Sequence, residues 1–185
     1  MRRALLAAGK PLERSLPLAL ADPPAPWKVA LALVLALALQ GALAPTLGAR
    51  GATLPLVALV ALWYALRAGV AAGAFVGALA GLGEDALAAS GVAWTIATAI
   101  VCAFAGRLRG RRAAAAFVPL IGAAALGVFA RDALFAIAFH LEGRTLPFPL
   151  ESFHRALVQA ALGALVTFAA LVLFPRLRAP RADRG

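Results

Sequence analysis

The sequence predicts an all-α protein, a polytopic membrane bundle of about six transmembrane helices. Three observations support this fold class: 63% of the 185 residues are apolar, only 14% are charged, and the mean hydropathy is +0.90. Soluble domains are nearer half apolar and a quarter charged, because their surface must meet water. Crossing a hydrocarbon core of about 30 Å takes about 20 helical residues. The chain is therefore long enough for about six crossings and leaves no room for a separate soluble domain.

Apolar segments separated by turn signals mark the predicted spans. They cover about 29–48, 53–66, 70–89, 92–106, 113–141 and 151–174. Pro45 and Gly48 close the first span, and Ser90 and Gly91 separate the third span from the fourth. The second span is short. If it is re-entrant, there is one crossing fewer and the termini lie on opposite sides.

The chain divides into a basic cytoplasmic or interfacial segment (1–28), a transmembrane bundle (29–175) and a basic cytoplasmic tail (176–185). A cleavable signal peptide is not predicted for the first segment, because Lys10, Glu13 and Arg14 interrupt its apolar core. A segment lying on anionic headgroups and a mobile tail both fit this composition.

The cations predict the orientation, because Lys and Arg that flank spans stay in the cytoplasm. In the six-span arrangement one side carries Arg2, Arg3, Lys10, Arg14, Lys28, Arg67, Arg107, Arg109, Arg111, Arg112, Arg176, Arg178, Arg181 and Arg184. The other side carries Arg50, Arg144 and Arg155 beside Glu142 and Glu151. Both termini are therefore predicted to be cytoplasmic. The cations that give the net charge of +10 lie at these membrane boundaries. The predicted contact is therefore the lipid bilayer and not nucleic acid.

Glycines recur every four residues in the third span, at Gly69, Gly73, Gly77 and Gly81, and Asp85 is the next position in the series. Such a ridge lets another helix approach closely, so we expect this helix to be central. We favour packing inside the same bundle; the alternative is a groove that binds a partner helix.

Four charged residues, Glu84, Asp85, Arg131 and Asp132, fall inside predicted spans. Each costs about 2.5 to 3.5 kcal/mol at mid-helix, so each needs a partner. Arg131 and Asp85 lie at matching depth, which predicts an ion pair between them with Asp132 beside it.

No catalytic or metal site is predicted. An aspartyl dyad of Asp85 and Asp132 is the one enzymatic alternative, and an ion pair with Arg131 would spoil its chemistry. His140 and His154 lack a third metal ligand, and Cys102, the single cysteine, is expected to be a buried thiol. We therefore predict a protein without enzymatic activity, cofactor or metal.

The order of several short motifs resembles the MreD family, small membrane proteins of the bacterial elongation (rod-shape) machinery. The resemblance covers about residues 29–178 and rests on Gln40, Leu43 and Pro45, then Gly48 and Gly51, then Tyr64, Ala65, Leu66 and Arg67, then Gly81, Leu82 and Asp85, then Gly91, then Gly106, Arg107, Leu108 and Arg109, and last Phe174, Pro175, Arg176 and Leu177. The chain departs from the family at Thr53, Leu54 and Pro55, where the family often has Pro-Asp, and in a longer basic N-terminal extension.

The resemblance implies a non-enzymatic scaffold in the bacterial cytoplasmic (inner) membrane. It implies binding to the single-pass protein MreC, and through it a link between the cytoskeletal protein MreB and the peptidoglycan synthases. It also implies a fold similar to the substrate-binding subunit of energy-coupling-factor transporters. That similarity supplies the alternative function, a vitamin-binding subunit whose outer-face residues would be Trp94, His140, Arg144, Glu151 and His154.

Overall fold

The computed structural model describes residues 23–48, 53–109, 117–143 and 149–174, which form six α-helices and no strand. The helices are α1 (Pro26–Gly48), α2 (Leu56–Ala68), α3 (Val70–Ala88), α4 (Ala93–Gly106), α5 (Phe117–Leu141) and α6 (Pro149–Leu173). Helices α1, α3, α5 and α6 are long and apolar enough to cross a membrane, whereas α2 and α4 are shorter apolar helices. The all-helical fold class is thus confirmed, and the four long apolar helices are consistent with a membrane bundle. The predicted terminal segments up to residue 22 and from residue 175 lie outside the described residues, as do Arg50, Arg111, Arg112 and Arg144.

Prolines and glycines set several helix boundaries. Helices α1 and α6 begin at Pro26 and Pro149, slightly before the predicted starts, because proline has no N–H to leave unpaired and its φ already suits a first turn. Gly69 joins α2 to α3 with φ = 95°, and its N–H donates to the carbonyl of Ala65 at 2.9 Å. Other residues rarely adopt this φ, so the sharp turn depends on glycine.

Helix α2 lies at the centre of the bundle. It packs against every other helix, whereas α3 packs mainly against α2 and α4 and lightly against α1. Its Val57, Ala61 and Ala65 are buried in the main apolar core together with Val128 of α5. The expectation that α3 is central was therefore wrong, since α2 and not α3 packs against all the other helices.

The outward faces of the long helices are apolar. Exposed side chains of this kind include Leu31 and Leu35 of α1, Phe75 of α3, Leu126 of α5 and Leu157 of α6. A soluble monomer rarely exposes so much contiguous apolar surface. The fold thus presents apolar side chains outward and buries the charged residues Glu84, Asp85, Arg131 and Asp132 that lie within its helices, as a bilayer requires.

Candidate functional site

Three helices each carry a polar residue at one common level. Gln40, Glu84 and Arg131 lie 14 residues after the first residue of α1, α3 and α5, respectively. At about 1.5 Å per residue this is about 21 Å along each helix. Hydrogen bonds join Gln40 to Glu84 and Glu84 to Arg131, so the three helices are aligned in register at this level.

Arg131 is the centre of this polar network. Its Nη1 donates to both oxygens of Glu84 at 3.0 and 3.1 Å, while Nε and Nη2 donate to Oδ1 of Asp132 at 3.1 and 2.9 Å. The three side chains are only 3%, 6% and 9% exposed. Trp94 covers the guanidinium, with 4.4 Å from Cζ to the ring centroid, and itself stacks on Phe135 at 3.8 Å. A buried charge is tolerated here because carboxylates and an aromatic face replace its water.

Two glutamines extend the network to the neighbouring helices. Gln40 accepts the backbone N–H of Val57 at 3.2 Å and donates to Glu84 at 2.9 Å. Gln159 accepts a longer bond of 3.4 Å from Arg131. The network therefore joins α1, α2, α3, α5 and α6. Sequence reasoning noted Gln40 only as part of a family motif and missed Gln159; the available signal was a lone amide inside an apolar helix.

Asp132 is the least satisfied member of the network. Its Oδ1 accepts two bonds from Arg131, but its Oδ2 is buried and has no hydrogen-bond partner among the described residues. Glu84, in contrast, accepts bonds from both Arg131 and Gln40, on two other helices. Asp132 is therefore the carboxylate that contributes less to joining the helices.

The predicted ion pair between Arg131 and Asp85 does not form. Asp85 instead accepts four bonds at the start of α4, from the hydroxyls of Ser90 (2.6 Å) and Thr95 (2.7 Å) and from the amides of Trp94 (3.1 Å) and Thr95 (2.8 Å). The reason is geometric: successive helix residues point about 100° apart, so Glu84 and Asp85 face different neighbours. Asp85 satisfies amides that the first turn of α4 leaves unpaired, and it is a helix-capping residue.

The glycine ridge is filled by helices of the same chain. A Cβ atom on Gly77 would lie 2.7 Å from the carbonyl oxygen of Thr98 and 2.8 Å from Cβ of Cys102. One on Gly73 would lie 2.7 Å from Cβ of Ala65. At Gly81 it would lie 2.5 Å from Cα of Thr95, and at Gly69 the nearest atoms belong to Arg109. The ridge is therefore the close contact of α3 with α4 and α2, and it is not open to a partner helix.

The two carboxylates considered for catalysis are not brought together, and Arg144 of the set considered for vitamin binding lies outside the described residues. Asp85 and Asp132 share no hydrogen-bond partner, so they do not form a dyad. A shallow pocket of about 520 Å³ beside Glu151 and His154 is formed by α6 residues alone, and Glu151 pairs with Arg155 at 2.7 Å. Within the described ranges, no three His, Cys, Asp or Glu side chains are placed to hold a metal ion.

What the arrangement can do chemically is hold helices together. The buried charged and amide groups of the network are bonded to one another, and Asp85 is bonded to the start of α4. Comparison with protein-family models, with curated proteins and with solved structures finds no match to this chain.

Proposed function

We propose that this chain is a non-enzymatic scaffold of the bacterial cell-shape machinery, similar to MreD, and that all six helices cross the inner membrane. The observation that supports this most strongly is the location of the family-like motifs. Their described residues lie largely where one helix contacts another. In an enzyme the distinctive polar residues would converge on a reacting group instead.

The Gly-Leu-x-x-Asp motif illustrates the point. Gly81 lets the start of α4 come close to α3, and one turn later Asp85 accepts the amides of that same start. The two motif residues therefore act together to close the α3–α4 hairpin. Leu82 between them points outward and is exposed, so it is placed to contact lipid or a partner.

Two further motif residues, Gly106 and Arg109, lie at the opposite end of the α3–α4 hairpin, and Gln40 lies at the polar network. Gly106 packs against the backbone of Gly69, where a Cβ atom would approach to 2.5 Å. Arg109 donates to the carbonyl of Ala68 at 2.9 Å, which satisfies an acceptor at the end of α2. Gln40 ties α1 to both α2 and α3.

The course of α2 supports six crossings over a re-entrant second segment. Helix α2 begins at the level of the polar network, where Val57 bonds to Gln40, and it ends beside Arg109 at the arginine-rich end. It thus returns the chain toward the side from which α1 started. Its 13 residues cover about 20 Å, and α2 packs against all five other helices.

A scaffold needs a surface for the single transmembrane helix of MreC. The glycine ridge is occupied, so we place this contact on the outer helices and favour α1. Helix α1 packs only lightly against the rest of the bundle through α2 and α3. Its Leu31, Leu35 and Leu39 form an exposed apolar stripe at helical spacing. Through MreC, the chain would connect MreB to the peptidoglycan synthases.

Photo-crosslinking in cells tests this proposal. A photoreactive residue in place of Leu35 should capture a single-pass membrane protein, and the same residue in place of buried Ala58 of α2 should capture none. Tagged protein should copurify with that partner. Depletion of the six-helix protein should turn rod-shaped cells round. The proposal fails if exposed positions on α1 and α6 capture no single-pass protein and depletion leaves cell shape unchanged. A vitamin found bound to the purified chain would favour the transporter alternative.

A further inference from the structure

An apolar groove opens between α2, α4 and α5. Its volume is about 680 Å³, within the range of small-molecule sites, and its walls include Trp63, Leu66, Phe104, Ala123, Gly127 and Ala130. The one polar lining residue is Thr167, whose hydroxyl already donates to the carbonyl of Gly163 at 2.8 Å. The lining of the groove is therefore almost wholly apolar, which favours an apolar ligand.

The shape of α5 explains why this space exists. At the level of the polar network α4 and α5 are joined through the stacked rings of Trp94 and Phe135. Toward the other end, α5 turns small side chains such as Ala123 and Ala130 toward α4, so the gap between the two helices is not filled. Protein interiors are close-packed, and an apolar space of this size in a bilayer is filled by hydrocarbon.

The open end of the groove is basic. The guanidinium of Arg67 lies 4.0 Å from the ring centroid of Trp63, and that of Arg107 lies 4.8 Å from that of Phe104. Both rings line the groove. Arg109 is held nearby through its bond to Ala68. The described acidic residues lie at the network or beyond it, toward the other end of the bundle: Glu84, Asp85, Asp132, Glu142 and Glu151.

The length of the groove distinguishes a lipid tail from a protein helix. On α4 its lining runs from Ile100 to Ala105, and on α5 it runs from Leu120 to Leu134, about 21 Å at about 1.5 Å per residue. A hydrocarbon core is about 30 Å thick. The groove thus accommodates an acyl chain that enters from one side and ends within the membrane, whereas a spanning helix would need it to continue.

We propose that this groove binds one acyl chain of an anionic phospholipid, whose phosphate is held by the exposed Arg107, with the buried guanidinium of Arg67 adding positive charge nearby. Basic pockets between transmembrane helices on the cytoplasmic side recognise such headgroups. The distribution of cations predicts that this end faces the cytoplasm. The inference rests on the membrane location and orientation, and it is independent of the scaffold function.

Native mass spectrometry of the full chain, purified from vesicles of mixed phosphatidylglycerol and phosphatidylcholine, tests the proposal. Wild-type protein should retain phosphatidylglycerol in preference to phosphatidylcholine. Ala130→Phe, which fills the groove, should reduce retention about tenfold, the loss expected for about two fewer buried methylene groups. Ala38→Phe, at an exposed position of α1, is the matched control and should change nothing.

Arg107→Gln tests recognition of the headgroup separately from binding of the acyl chain. It should lower the preference for phosphatidylglycerol about fivefold, as expected for one surface cation, while lipid of either kind is still retained. Arg155→Gln, an exposed arginine at the other end, should leave the preference unchanged. Equal retention by Ala130→Phe and Ala38→Phe would overturn the proposal.

A fluorescence measurement covers the case in which Ala130→Phe does not fold. Phosphatidylglycerol with brominated chains should quench wild-type tryptophan fluorescence more strongly than that of Trp63→Phe, because Trp63 lines the groove. If the two proteins are quenched equally, or if a partner helix cross-links to Ala130, the lipid assignment is wrong.

Discussion

Arg131 bonds to two buried carboxylates at membrane depth, and the two are not equivalent. Glu84 accepts from Arg131 and from Gln40, so it connects three helices. Asp132 accepts only from its helical neighbour and keeps one oxygen unpaired. Removing the cation leaves two buried carboxylates without a counter-charge, whereas removing the Asp132 carboxylate leaves the bonds between Arg131 and Glu84 in place.

We expect Arg131→Leu to lower the free energy of unfolding by about 3 to 5 kcal/mol, the usual cost of removing one partner from a buried pair. Asp132→Asn should change it by less than about 1 kcal/mol, because the amide oxygen still accepts from Arg131. Arg155→Gln, which breaks an exposed pair, is the control and should cost less than about 0.5 kcal/mol. Equilibrium unfolding in detergent measures all three. Equal effects of Arg131→Leu and Asp132→Asn would contradict the unequal roles.

At the scale of the element, the α3–α4 hairpin depends on the absence of side chains along one face of α3. Gly77 and Gly81 bring the two backbones together, and Asp85 then caps α4 from the same helix. Close backbone approach supplies packing where lipid removes most of the hydrophobic drive between helices. The α3–α4 hairpin is therefore specified by the four-residue spacing of the glycines and by the carboxylate of Asp85.

Gly77→Leu should destabilise the protein by about 3 kcal/mol or more, because the new side chain collides with Thr98 and Cys102. Gly122→Leu on α5 is the matched control: nothing lies within 4 Å of a Cβ atom there, so stability should be unchanged or slightly higher. Thermal unfolding of the purified proteins provides the comparison. Normal stability of Gly77→Leu combined with loss of a partner would instead indicate that the ridge is an interaction surface.

At the scale of the whole molecule, the direction of α2 decides the side on which every later helix ends. With α2 crossing, Arg107 faces the cytoplasm and Arg155 faces outward. If α2 were re-entrant, the two positions would exchange sides. The number of membrane crossings also decides whether the two termini lie on the same side of the membrane.

Single cysteines resolve this topology. In a Cys102→Ala background, Arg155→Cys should react with a membrane-impermeant maleimide in intact spheroplasts, and Arg107→Cys should react only after permeabilisation. The extent of labelling is measured by gel shift in intact and in permeabilised spheroplasts. The reversed pattern would remove one crossing from the proposed six and move the C-terminus outside.

Most of the helices could be predicted from the sequence, since each is a long apolar run bounded by glycine, proline or charge. The predicted ends of α2 and α4 fall within a few residues of the observed Ala68 and Gly106. The candidate site was predicted less well. Glu84, Arg131 and Asp132 stand out because a charge in an apolar run is rare, whereas Gln159 has a weaker signal and was missed.

The sequence by itself determined the membrane environment, the helices and the depth of each polar residue, because hydropathy and helical rise are local properties. Only the tertiary structure decided which neighbour each polar residue faces. Glu84 and Asp85 are adjacent in the chain and equal in depth, yet one binds Arg131 and the other caps α4. A rotation of about 100° per residue separates them, and only the packing around α3 determines which helix lies in each direction.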